Sequence, residues 1–360
     1  MTFNIKKLFL LFLLFLLFLN YLLYIIIEIY IKKDDDKNKI NFFNELFKIY
    51  STLYFTAKDG KTLRPSNNYS YIIKYYNNIT RGICLCTIGK KENSYAREFI
   101  EYYRQLGFDK IIIFDNNNLE DEKIEDVLHD YKKIDFITII NARGVESAQL
   151  PILNYCYQKY NMIFDWIAFF DFDEFLFING SKTIKEYLYN NRFEKCQTIL
   201  FNWYFYDDND LEKFENKKVL ERFKRPRIKT ERVKSMIRGN LKDIIIPSAH
   251  IIGINVKYFC NSNGERVFPV SFYNIKFPKD SLAYIRHFYT KTAEEFCNKI
   301  SKGDIQFHKN HPNYKSIFYN KINYFFSINK ITYGKINILE KCLNLNLNDF
   351  KMKITNINKK

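Results

Sequence analysis

Residues 166–175 read WIAFFDFDEF, an apolar run that ends in three carboxylates. A strand buried on both faces is apolar at every position, so this run predicts a central strand of a covered sheet. In such sheets, ligands bind in the crevice outside the carboxyl ends of the strands. We therefore expect Asp171 and Asp173, two residues apart, to point the same way at that edge while Phe172 points into the core.

The chain around this run alternates short apolar segments with segments of helical periodicity. The other apolar segments of strand length are 83–88, 110–115, 134–140, 197–205 and 244–254. Strands that alternate with helices at this spacing indicate parallel pairing, with helices on both faces of the sheet. The predicted fold class is α/β, with a mostly parallel central sheet.

Two carboxylates on one face of a strand end repel each other unless a cation lies between them. Oxygen ligands at this spacing suit Mg²⁺ or Mn²⁺, which also bind phosphate oxygens. Asp171 and Asp173 are therefore candidate metal ligands. For this pair taken alone, an ordinary solvated strand end is the alternative.

The N-terminal residues are apolar enough to cross a bilayer. Residues 8–27 form an apolar run broken only by Asn20, and about twenty such residues span the hydrocarbon core as a helix. The run is longer than the apolar region of a cleavable signal peptide, and no small-residue cleavage site follows it. The expected organisation is a cytosolic tail and transmembrane anchor at 1–31, a stem at 32–80, a catalytic domain at 81–310 and a C-terminal extension at 311–360.

Lysines flank the apolar run on both sides, and we favour the orientation that leaves the short tail in the cytosol. The chain is then a single-pass type II membrane protein whose catalytic domain faces the lumen of the Golgi or another endomembrane compartment. Three sequons, at Asn68, Asn78 and Asn179, permit that location.

The net charge of +16 is scattered along the chain, whereas a nucleic-acid-binding surface clusters its charge, so we expect no nucleic-acid partner. The seven cysteines include no CxxC pair, which argues against a zinc module. Cys84 and Cys86 would share one face of a strand as core residues. Cys156 and Cys196 form the candidate disulfide.

An ordered set of motifs resembles the glycosyltransferases with the GT-A fold, and more narrowly those of family 92 and the related family 2 type. The matching segments are KKENSYAREFIEYYRQLGFDKIIIFDNNN (90–118), WIAFFDFDEF (166–175), KSMIRGN (234–240) and HFYTKTAEEFCNKISKGD (287–304), with Gln149, Cys156, Asn202, Trp203 and His250 between them. The D-x-D pattern alone is a weak signal, but the ordered set covers nearly the whole predicted catalytic domain.

The resemblance implies transfer of a sugar from a nucleotide-sugar donor to a glycan or glycoconjugate acceptor, with inversion at the transferred carbon. It suggests a UDP-linked donor, with UDP-galactose the first choice, and Mn²⁺ or Mg²⁺ as cofactor. By the motif match, Asp171 would contact the ribose or a metal-bound water, and both Asp173 and His287 would bind the metal. Asp208 would be the base that deprotonates the acceptor hydroxyl, with Glu174 the second candidate.

The same match places Glu92, Asp115 and Asn116 along the nucleotide pocket and Lys234 at the diphosphate. Each has a simpler explanation as well. Asp115 and Asn116 suit the start of a turn, Glu92 suits a helix N-terminus, and Lys234 could be an ordinary solvated lysine.

Two other functions stay open at this point. Paired carboxylates also serve metal-dependent nucleotidyltransferases and phosphodiesterases, although those enzymes need more clustered acids than are seen here. The second alternative is a catalytically inert, membrane-tethered binding protein that uses its basic surface.

Overall fold

The computed structural model describes residues 82–146, 148–250, 256–269, 274–301, 314–344, 346–348 and 350–352. The predicted anchor and stem lie outside the described residues. Within the described residues, no helix is long and apolar enough to cross a membrane.

One large sheet runs through the described part of the chain. Its strands are β1 (Ile83–Gly89), β2 (Lys110–Asp115), β3 (Ile137–Asn141), β4 (Trp166–Phe169), β5 (Glu174–Ile178), β6 (Thr198–Tyr206), β7 (Pro226–Arg238), β8 (Phe259–Asn261), β9 (Arg266–Val267) and β10 (Ala283–His287). The order across the sheet is β3-β2-β1-β4-β7-β6-β10-β5, and β8 pairs with β6 and with β9.

The helices of the described residues pack mainly on the two faces of this sheet. They are α1 (Asn93–Gln105), α2 (Glu125–Lys133), α3 (Gln149–Tyr160), α4 (Ile184–Leu188), α5 (Val219–Arg222), α6 (Ala293–Ser301), α7 (Tyr314–Ile328) and α8 (Tyr333–Leu343). The N-terminal half matches the predicted alternation, with β1 parallel to both β2 and β4, and β2 parallel to β3. Its apolar strands are covered on both sides, as the run at Ile111, Ile112 and Ile113 shows with zero exposure.

The sheet as a whole is mixed, so the prediction of a mostly parallel sheet was wrong for its second half. β7 lies between β4 and β6 and runs antiparallel to both, and β5 runs antiparallel to β10. The first part of β7 is exposed and charged, with the sequence PRIKTER. This half of the strand therefore lacks the apolar signal of a buried strand.

Residues 244–250, the described part of another predicted strand, form no strand. Ile244 and Ile246 still pack in the core beside α3. The Asn154 side chain satisfies the backbone of Ile246, because its Oδ1 accepts from the Ile246 N–H at 2.9 Å and its Nδ2 donates to the Ile246 carbonyl at 3.0 Å. A side chain of α3 thus replaces the missing strand neighbour.

The cysteines divide into paired and buried groups. Disulfides join Cys196 to Cys260 and Cys297 to Cys342, while the other described cysteines are free and buried. The predicted Cys156–Cys196 pairing was wrong, because Cys156 lies on α3 against the face of β1 that carries Cys84 and Cys86. The core position predicted for the β1 cysteines is confirmed.

The described C-terminal helices pack against α6 rather than extending away from the sheet. Phe296 and Ile300 of α6 share a core cluster with Phe325 of α7 and Ile336 of α8. The Cys297–Cys342 disulfide also ties α6 to α8. Residues 314–352 are therefore anchored to the region that carries the candidate site.

Candidate functional site

The three carboxylates of the opening motif occupy a turn between β4 and β5. The Glu174 N–H donates to the Asp171 carbonyl at 3.0 Å, and the Asp171 N–H donates to Glu174 Oε2 at 2.9 Å. Phe172 points into the core as predicted, with its ring centroid 4.7 Å from that of Phe99 on α1. The carboxylates are thus held by the turn itself, beside the carboxyl end of β10.

Asp173 is the centre of a buried polar cluster. Its Oδ1 lies 3.5 Å from His287 Nε2, and its Oδ2 forms an ion pair with the ammonium of Lys299 on α6. The Phe288 N–H donates to the Asp173 carbonyl at 2.9 Å, which fixes the turn to the end of β10. Burial alone would raise the pKa of Asp173, but the charge of the Lys299 ammonium holds it well below its usual value. The Asp173 carboxylate is therefore ionised at neutral pH.

Asp171 has a different partner. Its Oδ2 lies 2.7 Å from the ammonium of Lys234, which also lies 3.5 Å from Glu174 Oε2. The Asp171 side chain is 42% exposed, whereas that of Lys234 is 3% exposed. Burial opposes the charge on Lys234, yet Asp171 and Glu174 together raise the pKa of this lysine. The two aspartates are thus engaged by separate lysines.

Glu174 and His287 face each other across adjacent antiparallel strands. Glu174 Oε1 lies 4.0 Å from His287 Nδ1, and neither atom has a hydrogen-bond partner among the described residues. Burial raises the pKa of Glu174 well above its usual value, and Lys234 only partly opposes this. Burial also lowers the pKa of His287, which favours the neutral imidazole. The indole of Trp203, 4.4 Å from the His287 ring, has a buried N–H without a partner in the described chain. These unsatisfied polar atoms mark a place where a ligand or water can bind.

The donor atoms at Asp173 and His287 fit a divalent metal ion as two ligands. Adjacent ligands of an octahedral ion with bonds of about 2.1 Å are about 3 Å apart, close to the 3.5 Å between Asp173 Oδ1 and His287 Nε2. Among the described residues, no group of three or more His, Cys, Asp or Glu side chains is placed to hold a metal ion. The predicted three-ligand set is therefore not assembled in this structure, where Oδ2 of Asp171 contacts Lys234 instead.

Asp115 and Asn116 are built into the loops that follow β2 and β3. Asp115 accepts hydrogen bonds from the side chain of Asn117 at 2.7 Å and from the Ile124 N–H at 3.2 Å, and it pairs with Arg143 at 3.4 Å. Asn116 donates to two backbone carbonyls of the loop after β3, at 2.7 and 2.8 Å. These contacts stabilise the edge of the sheet, and the predicted contact of both residues with a nucleotide stays a prediction.

Glu92 lies at the start of α1, where its carbonyl accepts the N–H groups of Tyr95 and Ala96. The loop before it is tied to the next one by a hydrogen bond from the Lys91 N–H to Asn117 Oδ1, at 2.7 Å. The half-buried side chain of Glu92 is the strongest charged influence on the nearby Lys291. Glu92 therefore lies on the side of the cluster that β1 contributes.

Asp208, the predicted base, has both carboxylate oxygens engaged. Its Oδ2 lies 2.6 Å from the ammonium of Lys335 on α8, and its Oδ1 accepts the Asp210 N–H at 2.9 Å. The side chains of Asp208 and Lys335 are fully buried. To take a proton from an acceptor hydroxyl, Asp208 would first have to leave Lys335.

The sequence analysis did not identify two lysines of the cluster, Lys291 and Lys299. A helical-wheel reading finds Lys299, because it follows Phe296 by three residues and precedes Ile300, both of which are buried on α6. Lys291 has no such signal, since it lies in the loop between β10 and α6. Only the tertiary fold brings it to the acids of the β4–β5 turn.

The architecture is that of a mixed α/β protein with a polar cluster at strand ends. A family model described as glycosyltransferase family 92 matches residues 80–315. The chain belongs to glycosyltransferase family 92, as that match covers more than half of it.

Curated relatives are similar over shorter stretches. A family 92 protein of Oryza sativa subsp. japonica is 26% identical over 117 residues, which are 32% of this chain and 20% of the relative. One from Ricinus communis is 23% identical over 108 residues, covering 30% of this chain and 19% of the relative. The matched stretch thus spans about a fifth of either plant protein.

Solved structures of S. aureus TarS overlap with this chain at low TM-scores. One covers 73% of this chain and 49% of its own, with 9% identity and a TM-score of 0.35. A complex of TarS 1–349 with UDP-GlcNAc covers 75% of this chain and 80% of its own, with 12% identity and a TM-score of 0.32. The family assignment rests on the sequence match alone.

Proposed function

We propose that this protein is a membrane-anchored glycosyltransferase that moves a sugar from a nucleotide-diphosphate donor to a glycan or glycoconjugate acceptor. Membership of family 92 supports the reaction class. The observation that carries the proposal is the cluster of Asp173, His287, Lys234 and Lys299 at the strand ends. It combines carboxylate and imidazole groups that suit a metal ion with the ammonium groups of a buried lysine, Lys234, and a partly buried one, Lys299. A nucleotide diphosphate bound with its metal ion would use both.

In this mechanism, Asp173 Oδ1 and neutral His287 Nε2 would hold Mn²⁺ or Mg²⁺. When bound, the ion supplies Lewis-acid neutralisation of the diphosphate leaving group. Lys299 keeps Asp173 ionised and fixes the orientation of its carboxylate. Lys234, buried and charged beside the half-exposed Asp171, can exchange that carboxylate for a phosphate oxygen when the donor binds.

The acceptor side of the site is less polar. Trp203 and Phe205 pack on His287, with ring centroids 4.4 and 4.9 Å from the imidazole, and aromatic faces suit the apolar face of a sugar ring. Asp208 and Glu174 stay the proposed bases. An inverting reaction, with UDP-galactose as donor, belongs to the same proposal.

We also propose a lumenal location with the anchor at residues 1–31. The two disulfides support it, because disulfides persist in oxidising compartments and are rare in the cytosol. Protease protection of the chain in intact microsomes tests the orientation, and full digestion without detergent would contradict it.

The decisive experiment incubates the full chain in detergent with Mn²⁺ and a panel of nucleotide sugars, with and without glycan acceptors. We expect nucleotide diphosphate to be released faster with an acceptor, and NMR of the product to show an inverted anomeric configuration. Failure of every donor to bind would refute the transferase. Hydrolysis of nucleotide phosphodiesters in the same assay would favour the phosphate-chemistry alternative.

A further inference from the structure

Lys291 is a buried cation that no carboxylate neutralises by direct contact. The residue is 6% exposed, and its ammonium lies 3.8 Å from the centroid of the Tyr95 ring. Among the described residues, this cation–π contact is the only direct contact of the ammonium. No hydrogen bond or ion pair within the described part of the chain reaches the Lys291 side chain. A buried ammonium is costly unless an anion compensates it, so the position invites one.

The backbone at Lys291 is unusual for a residue with a side chain, because its φ of 48° lies in the left-handed region. The following residue starts α6 with a reciprocal pair of hydrogen bonds, in which the Thr292 N–H donates to Glu295 Oε2 and the Glu295 N–H donates to Thr292 Oγ1, both at 3.2 Å. Strained backbone that the surroundings hold in place is common in ligand-binding sites. The ammonium of Lys291 is therefore positioned before any ligand arrives.

The aromatic partner is equally fixed. The Tyr95 hydroxyl donates to Glu295 Oε1 at 2.8 Å, and Glu295 is held by both terminal nitrogens of Arg222, at 2.7 and 2.8 Å. These contacts occupy the carboxylate of Glu295. It can therefore orient the ring below Lys291 without pairing with the lysine itself.

Charged groups from three parts of the fold act on Lys291. These groups are Glu92 before α1, Asp173 at the β4–β5 turn, and Lys299 and Glu295 on α6. Asp173 is paired with Lys299, and Glu295 with Arg222. Lys291 therefore faces the same polar cluster as Asp173 and adds positive charge to it.

We propose that Lys291 is a donor-binding residue whose ammonium contacts the diphosphate of the nucleotide sugar. This inference rests on the proposed function. It names a diphosphate because Lys234 and Lys291 are separate, buried ammonium groups, and each can donate to one charged oxygen as a point contact.

The test compares charge-removing, charge-keeping and control variants of the full chain. Lys291→Asn removes the charge and tolerates left-handed backbone, Lys291→Arg keeps the charge, and Lys133→Met changes an exposed lysine at the far end of α2. Binding of UDP, uridine and inorganic pyrophosphate is measured by calorimetry, and thermal unfolding confirms the fold of each variant.

We expect Lys291→Asn to weaken UDP and pyrophosphate binding at least tenfold while uridine binding is unchanged. Lys291→Arg should retain most of the affinity, and Lys133→Met should match the wild type. Equal weakening of UDP and uridine would indicate a structural role and overturn the inference, as would unchanged UDP binding. If pyrophosphate binds through Lys291 but no nucleotide sugar is bound or turned over, the proposed function fails while the anion site stands. If the wild type binds neither pyrophosphate nor UDP, both fail.

Discussion

Replacing Lys335 with methionine should destabilise the protein strongly. The Lys335 ammonium lies 2.6 Å from Asp208 Oδ2, and the side chains of both residues are fully buried. Removing one partner of a buried ion pair leaves an uncompensated charge and typically costs about 3–5 kcal/mol. For a domain of this size, that corresponds to a melting temperature lower by about 6–20 °C.

The loss of stability in Lys335→Met should shrink as the pH falls. Burial raises the pKa of Asp208 in the folded state, against the opposing effect of Lys335. A carboxyl whose pKa is raised by folding binds its proton more tightly in the folded state. Its ionised form therefore destabilises the fold at neutral pH, and this destabilisation fades as the pH falls towards the pKa of the unfolded state, about 3.9. Without Lys335 the pKa rises further. The difference in melting temperature between Lys335→Met and the wild type should therefore shrink between pH 8 and pH 5.

Calorimetric unfolding across that pH range is the assay, with Lys341→Met as an exposed control on the same helix. The double variant Asp208→Leu/Lys335→Met should recover most of the stability, because an apolar pair of similar volume replaces a buried ion pair at little cost. A melting temperature of Lys335→Met within about 2 °C of the wild type at every pH would refute the reasoning. If the folded double variant keeps its transferase activity, Asp208 is not the base.

Three further changes test other parts of the structure. Asp173→Asn should lower turnover at least about 100-fold and should also lower the melting temperature, because it leaves the Lys299 ammonium without its carboxylate partner. Steady-state kinetics of the folded variant with saturating Mn²⁺ would contradict the metal role if the rate held. Glu174→Gln should change stability by less than about 1 kcal/mol, because burial already favours the neutral acid. A folded but inactive variant would contradict this and show that the reaction needs the ionised carboxylate of Glu174, as the role of base requires. Cys297→Ser/Cys342→Ser should cost about 4 kcal/mol, since the disulfide closes a 45-residue separation, and denaturant titration against the wild type measures this.

The N-terminal half of the fold could be predicted from the sequence because its signals are local. Continuous apolar strands and the helical spacing of Phe99 and Tyr103 in α1 each occupy a few consecutive residues. Gly107, two residues after the end of α1, has a φ of 91°, which suits the glycine that commonly follows a helix. Signals of this kind do not depend on which strand becomes the neighbour.

The rest depends on contacts between distant residues. β7 inserts between β4 and β6 although half of it is charged, and Cys196 finds Cys260 across 64 residues. At the site, the motif indicated Asp171 and Asp173, but not that Lys234 and Lys299 would engage them separately. Charge pairing of this kind follows from the assembled sheet and from no single segment.

The Cys297–Cys342 disulfide and the Asp208–Lys335 pair also impose an order on biosynthesis. Lys335 and Cys342 both lie on α8, which is synthesised after every described strand of the sheet. Before that point, Cys297 has no Cys342 to pair with and Asp208 has no Lys335. Both contacts can therefore form only after α8 has been synthesised.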